Sequence, residues 1–198
     1  MPTILSEITA LSQQDCFYIV ERHKKEFTYP LHQHREYELN FVQNGQGLRR
    51  IIGDSVEETG PLDLVLITGE NLEHVWEQGS CTAEDIREIT IHFSYDLFSS
   101  DLLGKNQFAR IRQMLDRAKH GLAFAPSAIL KVYHLLDTLA TEKDSFQQFI
   151  SCLQLSTSCR DSRHTAWPAV LSPTPRRTAR AGASSKSRTI SAPTTPIP

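Results

Sequence analysis

The chain has 198 residues, 39% of them hydrophobic, and a formal net charge of −2. That length holds one domain, or one domain with an appendage. The charge is split: residues 160–198 carry seven basic residues against one acid, and residues 1–159 carry 14 basic and 22 acidic residues, so the acidic body offers no broad positive field for non-specific nucleic-acid binding.

In chain order, short apolar and β-branched runs at residues 16–21, 37–43, 48–52, 55–59, 62–68, 75–76 and 86–93 read as strands. Asn44-Gly45 between two such runs predicts a hairpin, because both residues tolerate φ > 0. Gly53-Asp54 and Gly60-Pro61 mark further turns. Strands at this close spacing predict a sandwich or barrel. The period then becomes helical. Phe108, Ile111, Leu115 and Ala118 mark one face. Pro126 suits a helix start, and Ile129, Val132, Tyr133, Leu136, Leu139 and Ala140 mark a second face. Asp144 or Ser145 caps a third helix bearing Phe146, Phe149, Ile150 and Leu153. Strands first and helices after give an α+β class by segregation. After about residue 155 the periodicity stops. Residues 156–198 are rich in Ser, Thr, Arg, Ala and Pro, bury too little apolar surface to offset their ordering entropy, and are expected to be disordered. The expected organisation is a folded body, 1–155, and a low-complexity tail, 156–198.

The densest chemical pattern is His32-Gln33-His34-Arg35-Glu36-Tyr37-Glu38. Alternate strand residues share a face, so His32, His34 and Glu38 point one way, and Glu36 joins them by parity. His74 is a fourth candidate, at the end of the loop after the 62–68 strand. Three imidazoles and a carboxylate suit a divalent transition metal: Fe, Mn, Ni or Zn. Chemistry there needs an open coordination position. The same side chains equally suit a polar cavity without metal. Trp76 either stacks on a sugar-like effector or plugs a barrel end. Of Arg49 and Arg50, one reaches inward to an anionic effector, or both end in solvent. His92 faces away from Ile91 and Phe93, toward a cavity or the surface. His23, His120, His134 and His164 have no partner pattern. Cys16, Cys81, Cys152 and Cys159 are scattered without a C-x-x-C pair, which points to reduced thiols in a cytoplasmic protein. No run of about 18 apolar residues and no basic-then-apolar leader occurs.

His32, His34, Glu38 and Gly45 fit H-x-H-x3-E-x6-G, which resembles the first cupin motif. The stretch from Gly60 through His74 to Trp76 resembles the second. Glu26 stands where the first motif has Gly, and Thr68 near where the second has Pro. The joint order of HxHxxxELNFV, NGxGxR through Arg49, DLVLITGENLEHVW, ITIHF and FARIRQMLDRAKHGLAF is similar to the N-terminal sensor domain of AraC-type transcriptional regulators, over residues 15–155. This resemblance implies a cupin-like barrel (double-stranded β-helix, or jelly roll) followed by C-terminal helices. It implies an effector-binding and dimerising module of a DNA-binding regulator, not an enzyme, responding to a sugar-like or acidic ligand. The implied ligand-binding residues are His32, His34, Glu36, Glu38, Arg49, His74 and Trp76. A divalent metal, where bound, falls to His32, His34, Glu38 and His74. The implied partners are a small-molecule effector and a second copy through the C-terminal helices, where Leu130 and Leu135 widen the apolar face. DNA is met only by a full-length relative, and no membrane partner is implied. Such regulators continue into two helix-turn-helix units, whereas residues 156–198 show no helical period and resemble a reading-frame slip or premature end. The alternative is a metal-dependent cupin enzyme, a dioxygenase or isomerase, on the same three-His, one-Glu set.

Overall fold

Segments rich in β-branched and aromatic residues favour a half-buried pleated surface, and they form the strands here. The computed structural model describes residues 4–159 and 164–166. Its strands are β1 (Leu5–Ser6), β2 (Phe17–Lys24), β3 (His32–Gln33), β4 (Tyr37–Gln43), β5 (Arg49–Ile52), β6 (Ser55–Glu58), β7 (Leu62–Ile67), β8 (His74–Glu77), β9 (Ile86–Phe93), β10 (Leu122–Phe124) and β11 (His164–Ala166). Its helices are α1 (Ser100–Leu103), α2 (Ala109–Arg117), α3 (Pro126–Leu139) and α4 (Ser145–Cys159). The expected order, a double-sheet barrel followed by helices, is what forms. One sheet runs β1-β3-β8-β5-β6 and the other β11-β10-β7-β4-β9-β2. All pairings are antiparallel except that of β1 with β3.

The central strands β4, β7 and β9 of the six-stranded sheet are buried on both faces, which explains their nearly continuous apolar runs. On one face Leu39, Phe41, Leu64, Leu66, Ile89 and Ile91 pack against Ile111, Leu115, Ile129, Val132, Leu136 and Leu139 of the helices. On the other, Val42, Val65, Ile67 and Ile86 meet Ile52 and Trp76 from the five-stranded sheet and Leu48 from the turn before β5. The helices begin where the sequence signals them. Pro126 opens α3, and the Asp144 carboxylate accepts the Gln147 backbone N–H at 2.8 Å, capping α4. Phe149 of α4 stacks on Phe17, with ring centres 6.4 Å apart, while Phe146 and Leu130 stay exposed and Leu135 packs partly against the core.

One expectation needs correction. The Asn44-Gly45 turn makes no hairpin: β4 pairs with β7 and β9, and β5 pairs with β6 and β8. The turn carries the chain from one sheet to the other, with Asn44 at φ +62 and Gly47 at φ +88. A side chain on Gly47 would also strike the Ser80 hydroxyl, 2.6 Å from its Cβ position. The hairpin lies one step later, at Gly53-Asp54, where Ile52 pairs with Ser55. Regular structure also continues past residue 155. α4 runs to Cys159, and His164–Ala166 pairs with β10. The rest of the tail, with its expected disorder, lies outside the described residues. Cys16 and Cys81 are unpaired thiols. Among the described residues, no helix is long and apolar enough to cross a membrane.

Leu136 is fully buried between α3 and the sheet, and Leu130, on the same helix, is 65% exposed. Leu136→Ala is expected to cost about 2–5 kcal/mol, through lost transfer energy and a residual cavity. Leu130→Ala should stay within about 0.5 kcal/mol of the parent. Urea denaturation of the two variants checks the contrast.

Candidate ligand and metal site

Strand parity builds the site. On β4, Leu39 and Phe41 face the helices, so Glu38 and Asn40 face the space between the sheets. On β9, Ile89 and Ile91 face the helices, so Glu88, Thr90 and His92 face the same space. The β4–β9 register sets Glu38 opposite His92, and β3–β8 sets His32 opposite His74. His34 follows β3 directly. Four imidazoles thus converge on one carboxylate from two sheets.

Glu38 is 2% exposed, and all four histidines are buried. Glu38 Oε2 lies 2.9 Å from His34 Nε2, 3.2 Å from His92 Nε2 and 3.3 Å from His74 Nε2. Its other oxygen accepts the Asn40 amide at 3.2 Å. Burial pushes the Glu38 pKa up, but the His74 charge and the imidazole hydrogen bonds outweigh it and hold it well below the usual carboxylate range. Burial likewise acts to lower the His34 pKa, and the hydrogen bond and charge of Glu38 reverse this, so it is raised. Burial, helped by His74, takes His32 down to about 4. Its Nε2 sits 3.4 Å from Glu7 Oε2, yet a ring held neutral makes no ion pair there.

Three of the rings share one device. His32 Nδ1 donates to the Pro30 carbonyl at 3.0 Å, His34 Nδ1 to Glu36 at 3.0 Å, and His74 Nδ1 to Leu72 at 2.7 Å. A neutral imidazole that spends its one proton at Nδ1 presents a bare Nε2 lone pair. Nε2 atoms of His34 and His74 therefore oppose Glu38 through lone pairs unless a proton or a cation lies between them. Backbone-pinned Nδ1–H groups are also how metal-binding imidazoles are oriented. The donor atoms of His32, His34, Glu38 and His74 lie within 4.8 Å of one another. The set fits a divalent transition metal, and these four residues would hold it.

Beside the cluster lies a cavity of about 390 Å³. Its walls include Asn40, Glu88, Thr90 and His92 on one side and Val75 and Trp76 on the other, with Arg22, Lys24, Glu7 and Tyr29 also lining it. Most of its donors are already committed. Asn40 Nδ2 faces Glu38, Glu88 and Thr90, Lys24 holds Glu88 at 2.6 Å, and Trp76 Nε1 donates to Asp63 at 3.2 Å. Among the described residues, Asn40 Oδ1 and His92 Nδ1 are buried without a hydrogen-bond partner.

The structure brings together His32, His34, Glu38 and His74 from the predicted set, with Trp76 in the cavity wall. It does not bring in two others. Arg49 is exposed and paired with Glu77, because parity on β5 turns Arg50 inward instead. Arg50 in turn is neutralised by Asp63 and Glu57. Glu36 contributes its backbone carbonyl to His34. Its half-buried carboxylate stays 4.0 Å from His34 Nδ1, on the side away from Glu38. His92, Asn40, Glu88 and Thr90 are the members that the motif leaves out. The alternation of Glu88, Thr90 and His92 with Ile89, Ile91 and Phe93 is the signal that carries them.

No family model matches the chain, and no curated protein does. Among solved structures it is similar to a cupin 2 conserved barrel domain protein from Rhodopseudomonas palustris, at 14% identity and TM-score 0.34, over 53% of this chain and 70% of that one. It is also similar to ToxT from Vibrio cholerae, at 14% identity and TM-score 0.42, over 74% of this chain and 58% of that one. Unsaturated fatty acid bound ToxT from V. cholerae strain SCE256 aligns at 14% identity and TM-score 0.44, over 73% of this chain and 56% of that one. The chain therefore spans a little over half the length of these ToxT chains.

Two outcomes follow for metal-free protein. Glu38→Gln should cost about 3–5 kcal/mol in urea denaturation at neutral pH, because it removes the carboxylate partner of a buried pair with His34, whose pKa that carboxylate raises. His32 should remain neutral by NMR titration down to about pH 4. Its folded pKa lies below the ordinary 6.5, so its contribution to stability is complete above about pH 6.5 and is lost as the pH falls toward 4.

Proposed function

We propose that this chain is a small-molecule-sensing module, the effector-binding part of an AraC-type transcription regulator. The observation that carries this is the roughly 390 Å³ cavity between the sheets, closed at one side by the His-Glu cluster. A pocket of this size with a few converging polar groups is the form of a small-ligand site. The sequence resemblance supplies the regulatory context. In this reading one divalent transition metal sits on His32, His34, Glu38 and His74, the helices serve self-association, and DNA is read by a separate domain of a full-length relative. The site of action is the cytoplasm.

Of the two ligand classes, sugar-like and acidic, the cavity favours the first. Its cations Arg22 and Lys24 are held by Glu88, Arg49 lies outside, and Glu7, Glu38 and Glu88 line it. An acid would meet carboxylates there, whereas hydroxyl groups supply the donors that Asn40 Oδ1 and the carboxylates accept. Trp76, with its N–H spent on Asp63, offers only its ring to the apolar side of such a ligand.

A second reading, a metal-dependent cupin enzyme, is favoured by the four-donor set. A bound metal would supply Lewis-acid or redox chemistry at that set.

A thermal-shift screen of neutral polyols, sugars and small carboxylic acids, with and without Zn²⁺ or Mn²⁺, separates these readings. A hydroxyl-bearing ligand is expected to raise the melting temperature saturably, with about 2.7 kcal/mol of stabilisation at a hundredfold excess over Kd. Mass spectrometry of the stabilising compound after incubation should recover it unchanged. Turnover of that compound would favour the enzyme, and no shift from any class would sink the sensing reading.

A further inference from the structure

We infer that His92 is a positioning residue for the metal carboxylate, holding Glu38 in place from outside the ligand set. This rests on the metal reading of the same cavity. Among the four imidazoles that surround Glu38, His92 differs in one respect. His32, His34 and His74 each give Nδ1–H to a backbone carbonyl. Nδ1 of His92 is buried and has no hydrogen-bond partner among the described residues. Nε2 lies 3.2 Å from Glu38 Oε2, and because a carboxylate oxygen accepts, the N–H of that contact belongs to Nε2, which donates. The others aim lone pairs at the shared space, and His92 aims a donor at the carboxylate. Its register partner on β4 is Glu38 itself, so the contact is fixed by the sheet ladder. Asn40 performs the matching task at the second oxygen, donating to Oε1 at 3.2 Å. Together they fix the carboxylate plane, leaving Oε2 with a lone pair toward His34 and His74. His92 lies outside the four groups whose donor atoms fall within 4.8 Å of one another. Outer partners that orient a ligating carboxylate or imidazole are worth roughly 10–100-fold in metal affinity.

The test is Co²⁺ binding by the full chain after chelator treatment, read by competition titration and by the visible absorption of bound Co²⁺. The parent is expected to bind one ion. His92→Ala should bind one ion about 10–100-fold more weakly, with its absorption bands unmoved because the ligand set is unchanged. His92→Gln, whose amide can still donate, should recover most of the affinity, and its melting curve guards against misfolding. His34→Ala should bind no stoichiometric ion. Unchanged affinity in His92→Ala overturns the inference. So does a shifted spectrum or complete loss in that variant, which would make His92 a ligand, and so does a His92→Gln variant as weak as His92→Ala. A parent that binds no Co²⁺ removes the metal reading itself, and the inference with it, which is a different result from a parent that binds and a His92→Ala variant that binds as well.

Discussion

A carboxylate at 2% exposure between two sheets is the constraint around which this barrel is arranged. Taking an isolated carboxylate out of water costs several kcal/mol even after relaxation. Glu38 therefore needs compensation, and polar side chains from both sheets surround it. β3 and the bend after it bring His32 and His34, β8 brings His74, β9 brings His92, and Asn40 shares its own strand. Since these groups come from both sheets, they also fix how far apart the sheets stand at this end. An all-apolar interior would close further, because close packing leaves few voids larger than a water molecule. The polar cluster and the cavity beside it are thus one feature, in which satisfying Glu38 holds the space open.

Such an interior is tolerable because the hydrophobic burden lies elsewhere. The six-stranded sheet has its apolar core on the helix side, where Ile129, Val132, Leu136 and Leu139 are almost fully buried against Leu64, Leu66, Ile89 and Ile91. Strand alternation separates the two tasks within each strand. On β9, Ile89 and Ile91 stabilise the fold while Glu88, Thr90 and His92 shape the cavity. The helices are therefore part of the site's support: without their cover the outer face of β4, β7 and β9 would be wet, and the sheet that carries Glu38 would lose its backing.

Strand and helix positions were legible in the sequence because periodicity reports burial directly, and the His32–Glu38 motif was legible because alternation reports facing. Pairing was not. Asn44-Gly45 has the residues of a hairpin turn, yet local φ preference says nothing about which sheet the next strand joins, and β5 finds β8 and β6 instead. Arg49 shows the same limit at one residue's scale. Moving one position along a strand reverses the face, and only the actual register decides that Arg50 goes inward. Glu36 shared the parity of the histidines but lies in a bend before β4, where strand alternation does not apply. His92 was hidden for the opposite reason: its parity was plain, but the carboxylate it meets, Glu38, is 54 residues away in the chain.

The arrangement of protons in the cluster links ligation to stability. With Nδ1 of His34 and His74 pinned to carbonyls, each Nε2 can face Glu38 favourably only by taking up a second proton or by sharing a cation with it. A second proton on both rings beside one carboxylate, with His32 lowered by burial and His74, would leave excess positive charge in a low-dielectric interior. A divalent ion, if held by His32, His34, Glu38 and His74, would take the place of those protons and satisfy several lone pairs at once, and its binding would then be coupled to proton release and to folding. The Nδ1 contacts to the Glu36 and Leu72 carbonyls use the ring nitrogens that face away from Glu38, so an ion among the Nε2 atoms would change the charge beside the cavity without taking the place of those contacts.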